Sequence, residues 1–342
     1  MSKTVLVTGG CGFVGRHLVK ALLQDGYTVW IVDNLSTGRA PERWIPLDKK
    51  DSVIFIHEDA MSFFLRQLGL IPGKQATILP KFEEVYHLAS VVGGRAVIEG
   101  DPMAVAIDLA IDSIFFRWVV MQRSAIGRVL YASSSAAYPV DSQTKEGAIA
   151  LQEDMIQFKG QLGMPDMTYG WSKLTGEYLS QIAARQYGVS VACVRPFSGY
   201  GGDQDISYPV PAIALRVAKR EDPLIIWGTG EQGRDFVHID DCIAAIRQAI
   251  THIHDGSAVN IGTGKLTTFK QVAGLFAELA RYSPELKPLV NKPEGVQSRY
   301  SNPTYMKKLL NWTPTISLEQ GFSRVLSEQE QVVKQAEAQL SV

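Results

Sequence analysis

Cysteine is scarce in this chain: Cys11, Cys193 and Cys242 are the three among 342 residues. Their odd number and wide separation exclude a disulfide framework, and no histidines stand at metal-ligand spacing from them. They read as reduced core or turn residues, and no metal site is expected. Charge of one sign is not in excess either. The 34 Lys and Arg face 35 Asp and Glu, a formal net charge of -1, which excludes global attraction to nucleic acid. No run of about eighteen apolar residues is present, so no membrane span is expected. The first residues enter a strand pattern without the basic, apolar and small-residue zones of a secretory signal. A soluble, cytoplasmic protein without repeats or flexible linkers is the expectation, large enough for one big domain or two intimately joined ones.

Glycine is placed where a particular chemistry needs it. The apolar strand Thr4 to Thr8 runs into Gly9-Gly10-Cys11-Gly12-Phe13-Val14-Gly15, then a helical pattern, then a second strand, Thr28 to Asp33. A glycine turn at a strand end lets backbone approach a pyrophosphate closely. The helix that starts there points N–H groups and a partial positive charge at the phosphates. Gly9, Gly12 and Gly15 repeat every third residue, and Gly15 lets the helix pack tightly on the sheet. Asp33 ends the second strand, where a carboxylate accepts from both adenosine ribose hydroxyls and repels a 2′-phosphate. The expected cofactor is therefore NAD, not NADP.

Strand-like runs at Ser52 to His57, Glu84 to Leu88, Gly127 to Ala132, Ser190 to Arg195 and Ala258 to Ile261 alternate with helical periods. This alternation predicts an α/β fold, a Rossmann-type doubly wound parallel sheet. Regular alternation stops between Pro196 and Pro211, and beyond Gly264 the pattern becomes helices and short irregular pieces with a polar tail from Ser327. The expected organisation is an NAD-binding domain of residues 1–194 completed by 227–262, and a smaller, mainly helical C-terminal substrate domain of 263–342 with 195–226. Helical segments Met103 to Gln122 and Trp171 to Tyr187 are rich in apolar residues. A face of each is free to pack on a second subunit, and a homodimer is expected.

Tyr169 and Lys173 stand four residues apart in Tyr169-Gly170-Trp171-Ser172-Lys173, which on a helix puts phenol and ammonium on one face. The cation lowers the phenol's pKa, and with a positive nicotinamide nearby the tyrosine becomes a base at neutral pH. The hydroxyl run Ser133-Ser134-Ser135 follows the third of those strands.

The glycine turn, Asp33-Asn34-Leu35-Ser36-Thr37-Gly38, His87-Leu88-Ala89-Ser90, Tyr131-Ala132-Ser133-Ser134-Ser135, Tyr169 with Lys173, Arg195-Pro196 and Arg234-Asp235-Phe236-Val237-His238 cover almost the whole chain. Together they resemble the extended short-chain dehydrogenase/reductase family, in particular its NAD-dependent nucleotide-sugar epimerases and dehydratases. The resemblance implies that Tyr169 takes a sugar hydroxyl proton while the adjacent carbon gives hydride to NAD. Lys173 would hold the ribose, and Ser134, four residues before Tyr138, would bond the same hydroxyl; Ser135 is its rival and a substrate contact. Phe13, Val14, Asn34, Ser36, Thr37, Asp59, Ala60, Leu88, Ala89 and Ser90 would line the cofactor, with Asp59 at the adenine. A sugar nucleotide's diphosphate calls for bidentate cations, and by resemblance these are Arg234 and Arg299. Gly93 and Arg95 would border the sugar. Ser198 stands where the family commonly has asparagine. His238, Asp240 and Asp241 are left out of the site, since an Asp before the run Cys242 to Ile250 reads as a helix cap.

Sugar 4,6-dehydratases of this family follow the hydroxyl residue with an Asp-Glu pair, where Ser135 and Ala136 stand here. The tail Pro293 to Trp312 is closest to GDP-mannose 3,5-epimerases, but those use a cysteine at the place of Ala136 and a lysine near that of Pro209. The set that survives, NAD with Tyr169, Lys173 and Ser134, supports reversible oxidation at C4. The expectation is a nucleotide-sugar 4-epimerase. A net 4-dehydrogenase or ketoreductase, or a GDP-sugar 3,5-epimerase-like enzyme, stays open as the alternative, as does a non-catalytic NAD-binding protein. GDP-hexose is favoured by the tail, with UDP-hexose or UDP-hexuronate next.

Overall fold

A computed structural model of the chain describes residues 3–91, 93, 95–146, 148–292 and 294–340. Seven strands form one all-parallel sheet: β1 (Thr4–Thr8), β2 (Thr28–Asp33), β3 (Val53–His57), β4 (Phe82–His87), β5 (Ile126–Ala132), β6 (Ser190–Pro196) and β7 (Asp255–Ile261). Their order is β7-β6-β5-β4-β1-β2-β3, so the winding reverses between β1 and β4. Thr8 is register partner of both Val32 and His87, which brings the carboxyl ends of three strands to one edge. A crevice at the carboxyl edge where the strand order reverses is where such sheets bind ligands. This is a Rossmann-type doubly wound fold.

The sheet is buried on both faces, which is why its strands read as continuous apolar runs. Val5, Val7, Val29 and Ile31 enter one core, while Leu6, Val32 and Val85 enter the other, the period of two expected of a pleated strand. Helices α1 (Phe13–Gln24) and α5 (Ile239–His252) cover the first face, burying Leu18, Val19, Leu22, Ile243, Ile246 and Ile250. Helices α2 (Ala60–Gln67), α3 (Asp108–Met121) and α4 (Met167–Tyr187) cover the second through Phe63, Phe64, Phe115, Trp118 and Ala183.

A separate core gathers Val210, Ile213, Val217, Phe236, Phe269, Val272, Phe276, Phe322 and Val325. The Phe276 and Phe322 rings stack with centroids 4.4 Å apart. The segment from Ser327, expected as a polar tail, continues a helix that spans Leu318–Leu340. Phe322, Val325, Leu326 and Gln329 make a narrow buried stripe, too sparse to stand out in so polar a sequence. The segment expected as one helix from Met103 is broken. Pro102–Val105 forms a single turn capped by the Asp101 carboxylate, which accepts from Ala104 N at 2.9 Å, and α3 starts afresh at Asp108. The α4 helix begins four residues before the apolar pattern does, with Asp166 as its N-cap, so Tyr169 lies in its first turn.

All three cysteines are free and buried, and burial pushes the Cys11 thiol up to about 12. Among the described residues no helix is long and apolar enough to cross a membrane.

Candidate active site

The turn after β1 is built for a close ligand. Gly9 has φ of +68°, and a Cβ there would lie 2.7 Å from Ala89 N, so the β1 turn and the end of β4 share a surface that a side chain would fill. A Cβ on Gly15 would collide with Gly9 O. Helix α1 starts at Gly12 with no side-chain cap, leaving the N–H groups of its first turn, Phe13, Val14 and Gly15, to be met from outside the helix, as a pyrophosphate does.

Asp33 is 9% exposed. Its Oδ2 accepts from Cys11 N at 2.9 Å and its Oδ1 from Leu35 N at 2.8 Å, which fixes the carboxylate between the two loops with lone pairs remaining for hydroxyls. Asn34 ties this loop together: its Oδ1 accepts from Ser36 N at 3.0 Å and its Nδ2 donates to Asp59 Oδ2 at 3.3 Å. The structure thus brings Asp33, Asn34, Ser36 and Asp59 to one rim, with Thr37 exposed beside them. Asp59 is also the N-cap of α2, accepting from Ser62 N at 3.1 Å. Ala60 is buried in the first turn behind it.

Tyr169, Lys173 and Ser134 converge at the same edge. A Cβ on Gly170 would collide with Ala136 O, and one on Gly176 would overlap the Tyr131 hydroxyl. These two glycines let α4 press against β5 and the serine turn, and Asp166 N donates to Ala136 O at 3.0 Å. Neither glycine figured in the sequence reading, because their reason lies across the fold. The three serines point to different partners. Ser133 Oγ donates to Glu177 Oε1 at 2.5 Å, the Ser134 hydroxyl accepts from Ala136 N at 3.1 Å and faces the Tyr169 phenol, and Ser135 is buried in the turn that Ser134 caps.

Lys173 lowers the Tyr169 phenol's pKa as expected, but it does not set the net direction. Burial raises the Tyr169 phenol, Lys173 and the Ser134 hydroxyl lower it, and the carboxylates Asp108 and Asp112 raise it again. The net shift is upward, because desolvation of the phenolate outweighs one cation. Lys173 is 3% exposed. Burial pulls its ammonium down, but Asp112, Tyr169 and Asp108 more than offset that, and its pKa is raised. It remains a cation.

Asp108 and Asp112, one turn apart on an apolar helix, are both fully inside. Asp108 accepts from Ser90 Oγ at 2.5 Å and Val91 N at 2.7 Å. Asp112 accepts from Tyr131 OH at 2.5 Å and pairs with His87 Nε2 at 3.1 Å. Behind them Glu177, one turn past Lys173, holds Arg195 bidentately at 2.8 and 2.6 Å, and Arg195 Nη1 donates to Tyr138 OH at 2.9 Å. Two acids on an otherwise apolar helix face were the available signal for the first cluster; nothing in the sequence paired Glu177 with Arg195.

Arg234 and Arg299 are register partners on adjacent parallel two-residue strands, Gly233–Arg234 and Ser298–Arg299. Both are engaged within the chain. Arg234 donates to the carbonyls of Gly233, Val296 and Glu294. Arg299 donates to Gln143 Oε1 at 2.5 Å and pairs with Asp166 at 2.7 Å, which links it to the start of α4. Gly93 packs on Val97. Arg95 begins a short helix, Arg95–Gly100, and its side chain lies outside the described residues. The cap of α5 is His238, whose Nδ1 accepts from Asp240 N at 3.2 Å, not an aspartate as the sequence suggested. Asp241 instead accepts from Thr315 and Ile316 N–H. Ser198 lies in a short strand, Ser198–Tyr200, its N–H donating to Asp235 O at 2.9 Å.

A doubly wound sheet with an uncapped glycine turn, an acid at the end of the second strand and a tyrosine, lysine and serine at its carboxyl edge is the arrangement of a dinucleotide-dependent enzyme. Residues 5–262 match the model of the NAD dependent epimerase/dehydratase family, and the chain belongs to that family. Its cofactor is NAD. A putative UDP-glucose 4-epimerase of Methanocaldococcus jannaschii is 28% identical over 334 residues, 94% of this chain and 97% of the relative. A GDP-mannose 3,5-epimerase of Oryza sativa subsp. indica is 25% identical over 93% of this chain and 79% of its own. Among solved structures, a UDP-glucose 4-epimerase of Thermotoga maritima with UDP-glucose superposes with a TM-score of 0.80 at 25% identity, covering 96% of this chain and 99% of that one.

Proposed function

We propose that the chain interconverts the C4 epimers of a nucleotide-diphosphate sugar, an NDP-hexose or NDP-hexuronate. The observation that carries this reading is the convergence of Tyr169, Lys173 and Ser134 beside the glycine turn, with Ser135 and Ala136 as the residues that follow. A hydroxyl and a methyl supply no acid or base for eliminating water from the sugar. Tyr169 takes the proton of the 4-hydroxyl and later gives it back, Ser134 holds the same oxygen through its hydroxyl, and Lys173 stabilises the phenolate and holds the nicotinamide ribose. When bound, NAD supplies the acceptor for the C4 hydride and its source on return. Gly9, Gly12, Phe13, Val14 and Gly15 hold the pyrophosphate. Asp33, with Asn34, Ser36 and Thr37, takes the adenosine ribose, Asp59 and Ala60 the adenine, and Leu88, Ala89 and Ser90 line the nicotinamide half.

Arg234 and Arg299 grip the sugar nucleotide's diphosphate, exchanging part of their present bonds for phosphate oxygens, with Gly93, Arg95 and Ser135 at the sugar. The relatives that act at C4 support this reading, while Ala136 and Pro209 leave C3 and C5 without the acid and base of the 3,5-epimerases. The enzyme acts as a homodimer through α3 and α4, whose outer faces carry Leu109, Met121, Trp171 and Tyr178 exposed.

Proton NMR in deuterated water with GDP-, UDP-, CDP- and dTDP-linked hexoses and uronic acids tests it. A new C4 epimer without deuterium is the expected result. Deuterium at C3 or C5, or accumulating NADH with a keto sugar, overturns it in favour of 3,5-epimerisation or a net dehydrogenase.

A further inference from the structure

We propose that Asp108 and Asp112 form a buried counter-charge behind Lys173 that biases the bound cofactor toward its oxidised form, a positioning role for two residues outside the tyrosine, lysine and serine set. The hydrogen bonds make both carboxylates anions. Ala89 N donates to Thr8 Oγ1 at 3.3 Å and Thr8 Oγ1 lies 2.8 Å from His87 Nδ1. With the Thr8 hydroxyl donating to Nδ1, the ring proton stands on Nε2, facing Asp112 Oδ1, whose carboxylate calls for a donor there. With the Tyr131 hydroxyl donating to its other oxygen, Asp112 has a donor on each side. Asp108 likewise meets the Ser90 hydroxyl and the Val91 N–H; burial raises its pKa, and these two donors and Lys173 work against that rise.

The remaining charges of this region cancel. Burial keeps the His87 imidazole neutral by lowering its pKa, and Glu177 and Arg195 neutralise each other at 2.6 Å. Tyr169 is protonated at rest. Among the described residues Lys173 is left as the single cation against two anions, its ammonium 5.4 Å from the Tyr131 ring and 5.7 Å from that of Tyr169. The nicotinamide half has its place at this edge. With the phosphates at the α1 start and the adenosine ribose at Asp33, the dinucleotide's other half extends across the ends of β4 and β5. An oxidised nicotinamide carries one positive charge and a reduced one carries none. The excess anion of Asp108 and Asp112 therefore favours the oxidised ring, whereas Lys173 alone would favour the reduced one.

The usefulness of this bias rests on the proposed epimerase reading, since an enzyme that borrows a hydride must give it back. The bias itself is measured without any sugar. The purified protein with its bound cofactor is equilibrated against redox couples of known potential and the reduced fraction read at 340 nm. Asp108→Asn and Asp112→Asn are made separately; each keeps an oxygen to accept from Val91 N–H or Tyr131 O–H, and either soluble variant decides the question. The expected result is a loss of about tenfold in the preference for NAD over NADH in each, a rise of about 30 mV in the midpoint of this two-electron couple. Lys173→Met, which removes the opposing charge, moves it the other way. Midpoints of the aspartate variants within 10 mV of the parent (~30 mV per tenfold) overturn the proposal. A parent protein that fails to epimerise any sugar while these shifts are present overturns the 4-epimerase reading alone.

Discussion

Replacing Glu177 by Gln tests how the catalytic helix is anchored. Glu177 and Arg195 are 1% and 4% exposed in their side chains and meet in a two-point contact. The same carboxylate also accepts from Ser133, and the Arg195 guanidinium reaches Tyr138 OH, which donates to Asn260 Oδ1 at 2.8 Å. One charge therefore joins α4, β5, β6 and β7. Removing it leaves a guanidinium inside the protein facing a phenol and a carbonyl, neither of which carries compensating charge. Breaking a buried pair in this way costs about 3–5 kcal/mol. At about 2 °C per kcal/mol for a chain of this size, the melting temperature drops by about 6–10 °C.

The double variant Glu177→Met with Arg195→Met removes both charges and retains volume. It is expected to lose less than the single one, about 1–2 kcal/mol, chiefly because Ser133 and Tyr138 give up hydrogen bonds. Chemical denaturation followed by circular dichroism gives both values and their coupling. A Glu177→Gln loss below about 1 kcal/mol, the level of a surface ion pair, or losses that simply add in the double variant, would refute the account.

Tyr169→Phe removes the proposed base without touching the cofactor cradle. Turnover should fall by about 10²–10⁴-fold with the NAD dissociation constant little changed; undiminished turnover sinks the mechanism. Asp33→Ala takes away the acceptor of the Cys11 and Leu35 N–H groups as well as the group that repels a 2′-phosphate. NAD binding should weaken and the preference over NADP narrow, as titration calorimetry with both cofactors will tell. The imidazole of His87 has a pKa lowered by burial, so below about pH 6.5 the unfolded chain binds a proton that the native one does not. Stability should decline as pH falls through that value, by up to about 1.4 kcal/mol per pH unit from this group. His87→Gln should flatten that slope between about pH 5 and 6.5, and an unchanged slope would show that the ring is not held neutral.

Much of the fold was legible because its signals are local. A strand buried on both faces must be apolar throughout, so β1, β2, β5 and β6 stood out as runs of Val, Leu and Ile. The phosphate turn requires glycine where a Cβ would strike Ala89 or Gly9, and that demand is written into three positions of one short segment. Tyr169 and Lys173 were readable for a similar reason: a separation of four on a helix is a geometric statement in itself. The helix Leu318–Leu340 was not, because its apolar stripe is narrow and the third core it covers is assembled from segments far apart in the chain. Nor did the sequence distinguish the His238 cap from the aspartates beside it, since all three can accept from a backbone N–H and only the observed turn shows which one does.

The residues alone thus carried the architecture and the cofactor class, since periodicity and turn glycines act over a few residues. Tertiary structure decided the electrostatics. Partners separated by 18 residues for Glu177 and Arg195, or 25 for His87 and Asp112, become neighbours only when β-strands pair and helices pack. It is burial, a property of the whole fold, that raises the Tyr169 phenol against its lysine and encloses Asp108 and Asp112 behind it.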